Sequence, residues 1–316
     1  HDHDPALLRA PPGALLTGTG AGQVILRDVW DVPGGQDIRG YKLATFILQH
    51  SSFEEVIHLD ADVLAVADPT PLFDNPAYST TGALFWPDVY TLRQDSFWLK
   101  VVGHGAQAHR SMENGQLLLN RVRHWDKIQL AMFFLERWGD SKYFYSQLNY
   151  DANVFLLAWL ALSTPFHMVT PLFHLIGFQL AGGAFCGHTY FQHHPSNPDS
   201  MMFAHRTMAK LSFHPRQHGL HRSTAILRFP ANTTRRSVFE HPQCPVCGHS
   251  HFGASRCRDI LDGQVDNSDS ARAELARLAV VEAKLLTLRS QLVGNGSHLA
   301  GDWWTLLEGH STEWPA

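Results

Sequence analysis

Apolar and polar positions along the chain fall into short runs with two different periods. From Ile38 to Gln49, Tyr41, Leu43, Ala44, Ile47 and Leu48 share a face at helical spacing and predict a helix. The apolar-leaning run Val56–Leu59 is too short and too bounded for a helix, and it predicts a buried strand of a parallel sheet. Pro69, Pro71 and Pro76 interrupt the next segment, and Ser79–Trp86 predicts a second strand ending in Trp86-Pro87-Asp88. Residues 90–111 lack a clean period and predict a long loop or short helices. Glu113-Asn114-Gly115-Gln116 reads as a turn feeding an apolar strand through Asn120. His124–Trp138 carries Trp125, Ile128, Ala131, Met132 and Leu135 on one side of an amphipathic helix. Val154–Leu162 is apolar throughout; it is too short to cross a bilayer and predicts a buried helix.

Further on, Phe166–Thr170 and Phe173–Ile176 predict short strands. Gly182–Thr189 reads as a glycine-rich loop, His193-His194-Pro195 as another loop, and Met201–Lys210 as a strand running into a loop. Ser212–Phe229 adds strand or loop. From Ser270 to Leu292, Leu275, Leu278, Val281 and Leu285 lie near one face. That pattern lasts about three heptads, so a packed terminal helix is expected rather than a coiled coil. Residues 1–20 are rich in Pro and Gly and read as a lead-in, with a strand or edge segment at Gln23–Val29. The chain thus divides into a lead-in over 1–22, an α/β domain over 23–230, and a C-terminal extension over 231–316 with a Cys-containing loop and a helix.

Composition narrows the function. The 316 residues can bury one large core, and 44% hydrophobic content argues against disorder. A net charge of -4 with only 17% charged residues offers no polyanion-binding surface, so nucleic acid is excluded as a partner. No signal peptide or membrane span is evident. The chain opens at His1 rather than Met, and the expectation is an upstream part that has been lost or removed.

The candidate chemistry begins at Asp60-Ala61-Asp62, just past the Val56–Leu59 run. Ligands of open α/β sheets collect at the carboxyl ends of strands. On a strand, side chains at i and i+2 share a face, so both carboxylates would aim at one object. Two such carboxylates repel unless a cation lies between them, and hard divalent ions favour oxygen ligands. Cys244-Pro245-Val246-Cys247, with His249, His251 and Cys257 nearby, reads as a disulfide-tied loop or as half of a zinc site. Cys186 is then a buried free thiol or the partner of the odd cysteine. Asn232 and Asn295 open sequons.

Taken in order, a series of motifs carries a resemblance. It runs from Tyr41-Lys42 through Phe53-Glu54-Glu55-Val56, Leu59-Asp60-Ala61-Asp62, Pro71-Leu72-Phe73 and Phe85-Trp86-Pro87-Asp88. It continues through Glu113-x-Gly115-Gln116, an Asp ahead of Phe155-Leu156-Leu157-Ala158-Trp159, Phe185-Cys186-Gly187-His188, and Phe203-Ala204-His205-Arg206 with Lys210. Over roughly residues 38–212 the series resembles the fungal Golgi α-mannosyltransferases that extend mannans by α-1,2 or α-1,3 links.

The resemblance implies a GT-A-like αβα sandwich with a mainly parallel central sheet, GDP-mannose as donor, a mannose-containing glycan as acceptor, and a divalent metal, Mn2+ foremost. It implies Asp60 and Asp62 as metal ligands, with Asp60 also near the ribose. His205 would be the third ligand and His188 its competitor. Lys42, Arg206 and Lys210 would lie near the phosphates, and Asp88 and Gln116 near the mannose. Glu113 and Asp151 would be the catalytic acids, Asp151 orienting the acceptor or else capping the helix after it. It further implies a Golgi-lumenal, type II membrane protein, anchored through an upstream segment and working in a mannosyltransferase complex.

Two departures stand out. Tyr150-Asp151-Ala152-Asn153 replaces the family's Gly-Asp-Lys-Asp. The first strand and helix, normally upstream of Arg27–Val32, are expected to be missing. Both features suit an alternative: an inactive glycan-binding or scaffold relative of the same fold.

Overall fold

The computed structural model describes residues 28–38, 40, 42–92, 99–100, 102–103, 109–138, 152–180, 182–207, 224–230, 233, 238–241, 257–260 and 262–293. The predicted lead-in, the Cys244-Pro245-Val246-Cys247 loop and the asparagines of both sequons lie outside them. The elements run α1 (Lys42–His50), β1 (Glu55–Leu59), β2 (Val63–Ala65), α2 (Pro76–Thr81), β3 (Ala83–Leu92), β4 (His109–Asn120), α3 (Trp125–Trp138), α4 (Ala152–Ala161) and β5 (His167–Met168). They continue as β6 (His174–Gln179), β7 (Phe185–His194), β8 (Asn197–His205), β9 (Ala225–Arg228), β10 (Val238–His241), β11 (Cys257–Ile260), β12 (Gln264–Asp266) and α5 (Asp269–Val293).

Mixed α/β architecture is thus observed, but its strands form two sheets. The first has the order β1-β4-β3-β5. The second runs β10-β11-β7-β6-β9-β12, with β8 on β7 and β2 on β8. Among the described residues only β3 and β5 pair in parallel; β1–β4, β3–β4 and every pair of the second sheet are antiparallel. The expected mainly parallel sheet is therefore corrected. Nor is the Val56–Leu59 run buried on both faces: β1 is an edge strand in which only His58 is buried, and an apolar run says nothing about the direction of its neighbours.

Alternation on β3 and β4 divides the interior. Phe85, Leu117 and Leu119 face a core shared with Leu48 of α1, Ile128 and Leu135 of α3, and Phe155 and Trp159 of α4. Leu84, Trp86 and Leu118 face the other way, onto Val63, Leu72, Met202 and Phe203. Trp86 joins the two sheets: its ring meets Phe203 edge-on at 5.1 Å, and its Nε1 donates to the His193 carbonyl at 2.8 Å. As its uniform apolarity predicts, α4 is buried on all sides. The terminal helix α5 packs as expected, with Ala271 and Leu278 in a core formed with Ile176, Phe191, Ala204 and Ile226.

Several boundaries differ from the sequence expectation. Ser79–Trp86 is not one strand. Asn75 accepts hydrogen bonds from the amides of Ala77 and Tyr78, Pro76 opens α2, and Gly82 ends it at φ 71°, so the strand starts only at Ala83. A Cβ at Gly82 would also meet Arg123 Cδ and His124 Nε2 at 2.9 Å. The expected turn at Glu113–Gln116 lies inside β4, and the expected loop at Phe185–Thr189 lies inside β7. Cys186 is fully buried and disulfide-bonded, which removes the free-thiol alternative. No described helix is long and apolar enough to cross a membrane.

The interior also stores a pH dependence. Burial first, then the neighbouring His193 and Arg228, push His174 from 6.5 down to about 3. In the unfolded chain this imidazole takes up a proton near pH 6.5, while the folded protein refuses it until about pH 3. Stability is thus full above pH 6.5 and lost as the pH falls across that window, by about 1.4 kcal/mol per pH unit for this residue. Urea unfolding of the wild type and a His174→Phe variant between pH 6 and 4 should show the variant's slope smaller by about that amount. Equal slopes would contradict the buried neutral imidazole.

Candidate metal centre

β1 ends at Leu59, and the chain crosses at once to the second sheet. The Asp60 amide donates to the Gly115 carbonyl at 2.8 Å, which ties the crossing to β4. The Val63 amide donates back to the Asp60 carbonyl at 3.0 Å, which closes a turn over Asp60-Ala61-Asp62. β2 then pairs with β8, setting Val63 opposite His205. The Arg206 amide donates to the Asp62 carbonyl at 2.9 Å and fixes the turn from the other side. The two aspartates converge because of this turn, not because of strand pleating as the sequence suggested.

Asp60, Asp62 and His205 each offer a ligand atom within 4.8 Å of the others. His205 Nε2 lies 3.4 Å from Asp62 Oδ1, and His205 Nδ1 lies 3.4 Å from Glu113 Oε1. Glu113 Oε1 also accepts from the Gly115 amide at 3.1 Å. His58 Nε2 sits 3.3 Å from Asp60 Oδ1. Burial pushes the His205 pKa down, but the Glu113 and Asp62 carboxylates more than reverse this and hold it up at about 10. The pocket of acids therefore calls for positive charge, which a proton or a divalent cation can supply. Two carboxylates and an imidazole form a donor set that could hold a divalent cation.

A break in β4 makes the room. Pairing with β3 jumps from Phe85↔Leu117 to Trp86↔Glu113, which leaves Asn114, Gly115 and Gln116 without partners on β3. Gln116 stays paired with Leu59 on the other edge. Its side chain is fully buried, and neither amide atom has a hydrogen-bond partner among the described residues. Such atoms cost about 1–3 kcal/mol when left unsatisfied, so they point to a ligand.

The other expected residues have these places in the fold. Asp88 is buried in β3, where its carboxylate accepts from the Val89 amide at 2.6 Å. His188 is buried on β7, with Nδ1 2.9 Å from Thr189 Oγ1, and burial and then Arg206 hold its pKa down at about 3. The group of converging ligands contains His205 and not His188. The buried Arg206 guanidinium pairs with Glu282 of α5. Lys42 opens α1, a helix that packs on α3. Asp151 and Lys210 lie outside the described residues.

Two residues of the centre were not singled out from sequence. His58 had no signal beyond its place two residues before Asp60. Gly115 had one, within Glu113-x-Gly115-Gln116, but its reason is spatial. A Cβ there would come within 2.7 Å of His205 Cε1, 2.8 Å of its Nδ1 and 3.1 Å of Val63 Cγ2.

With this geometry in view, similarity to known proteins becomes informative. Residues 21–108 match the family described as "Mannosyltransferase putative". Alpha-1,2-mannosyltransferase MNN24 of Candida albicans is 24% identical over 171 residues, which cover 42% of this chain and 24% of that protein. MNN22, an α-1,2-mannosyltransferase of the same organism, is 23% identical over 199 residues, 49% of this chain and 33% of its own length. Alpha-1,2-mannosyltransferase MNN5 of Saccharomyces cerevisiae is 23% identical over 209 residues, 48% and 35% respectively. The matched part is thus between 24% and 35% of these relatives' own length. By class, the matches support a glycosyltransferase. More narrowly, they support the fungal α-mannosyltransferase family that the ordered motifs resemble.

The close packing of Gly115 on His205 is directly testable. A Gly115→Ala variant should lose about 1–3 kcal/mol of stability in urea unfolding, because neither β4 nor the imidazole can yield freely. A wild-type midpoint would contradict this packing.

Proposed function

We propose that the chain is a metal-dependent, retaining α-mannosyltransferase domain that moves mannose from GDP-mannose to a mannose-containing glycan. The observation that carries this reading is the convergence of Asp60, Asp62 and His205 in a chain similar to α-1,2-mannosyltransferases. A bound divalent cation, Mn2+ by the mixed oxygen and nitrogen donors, would neutralise charge growing on the diphosphate as it leaves.

The chain's own residues do the rest. Asp60, Asp62 and His205 hold the cation. Glu113 lies 3.4 Å from His205 Nδ1, a position from which a carboxylate can orient a metal-binding histidine. Retention needs a carboxylate nucleophile or a same-face attack assisted by the leaving phosphate. Glu113 is already engaged by His205 and by the Gly115 amide, which favours the orienting role and the same-face route. Gln116 offers a donor and an acceptor suited to sugar hydroxyls. Asp151 and Lys210 are proposed for the acceptor and phosphate sides, as the resemblance implies.

The setting proposed is the Golgi lumen, with an anchor in the longer parent protein and a mannosyltransferase complex around it. The disulfide at Cys186 fits an oxidising compartment.

Titration of GDP-mannose with and without Mn2+, paired with transfer to a mannose acceptor, tests the proposal. Binding should require Mn2+, and Asp62→Asn should lower transfer about 100-fold or more. Absent or metal-independent binding would favour the inactive scaffold instead.

A further inference from the structure

A buried ion pair stands directly behind the metal centre. Arg206 follows His205 in sequence, and its amide holds the Asp62 carbonyl at 2.9 Å. Its side chain is fully buried and pairs with Glu282, itself 5% exposed, on α5. Arg206 thus sits one residue from His205 and is bonded through its own amide to Asp62, which sets its charge beside the cluster. A divalent cation entering that cluster meets a fixed positive neighbour, and Asp62 has a rival for its negative charge.

We propose that Glu282 is a positioning residue for the metal centre: by pairing with Arg206 it neutralises the cation behind Asp62 and draws it toward α5, leaving Asp62 for the metal. The inference rests on the metal reading above. It makes Arg206 part of the support of the centre, in place of a phosphate contact.

The helix does not depend on this pair alone for docking. Glu274 of α5 accepts from the Met201 amide at 3.1 Å and pairs with Arg277, while Ala271 and Leu278 sit in the apolar core. Removing only the Glu282 charge therefore leaves α5 in place. Glu274 supplies a control of the same kind on the same helix, bonded at Met201, four residues before His205 on β8.

The test is calorimetric titration of the full chain with Mn2+ alone, with Asp62→Asn as the blank. Glu282→Gln should weaken binding about 10-fold or more, the range expected when a residue supporting a metal ligand is lost. Glu274→Gln should leave affinity within about two-fold, since it neither contacts nor neutralises Arg206. The double variant Arg206→Met with Glu282→Leu removes both charges, and apolar replacement of a buried pair commonly preserves folding. It should bind Mn2+ like the wild type.

Unchanged affinity in Glu282→Gln overturns the inference. So does a double variant as weak as the single one, which would make the pair a mechanical strut. If Glu282→Gln does not fold, the double variant decides alone: wild-type affinity supports the inference and weak binding overturns it. Lack of Asp62-dependent Mn2+ binding in the wild type overturns the metal reading and this inference together, a result distinct from the loss of Glu282 dependence alone.

Discussion

Three carboxylates crowd one imidazole where the two sheets meet. Asp62 and Glu113 flank the two nitrogens of His205 at 3.4 Å, and Asp60 completes the group. Like charges at this spacing separate unless positive charge lies among them. What keeps them together is the backbone. The turn from β1 to β2 is fastened to β4 by the Asp60 amide and to the end of β8 by the Asp62 carbonyl. The repulsion is met by the fold, and the folded chain presents a preorganised demand for a cation.

That arrangement explains features remote from the acids. β4 must slip in register beside Trp86 so that Gly115 can lie against His205. Trp86 must span both sheets, since the ligands come from each of them. The second sheet must be fixed from behind, and α5 does this with apolar residues and two buried glutamates, Glu274 and Glu282. A segment that sequence alone sets apart as an extension thus packs against the strand that carries His205.

Much of the centre was legible in the sequence. Asp60 and Asp62 announced themselves as paired acids after an apolar run, and His205 entered through the ordered resemblance. The helices were legible too, through 3.6-residue periodicity, but not every face: α1 buries Thr45, Phe46 and Leu48 while Leu43 and Ile47 are exposed, and Trp125 of α3 is exposed as well. Strand direction was not, because Val56–Leu59 and Leu117–Leu119 look alike in either pairing sense. The helix α2 was signalled by Asn75-Pro76 and Gly82, yet its β-branched Thr80 and Thr81 masked it as strand. Gly115 and the Arg206–Glu282 pair were hidden for a simpler reason: their partners are 90 and 76 residues away, and only the folded chain brings them together.

One measurement tests the account most directly: anomalous diffraction at the manganese edge from crystals of the chain grown with Mn2+. The account predicts a single strong peak within coordination distance of Asp60, Asp62 and His205 side chains, with Glu113 against the far nitrogen of the imidazole. A strong peak elsewhere, or none at the turn while His205 stays clasped between Asp62 and Glu113, would contradict it.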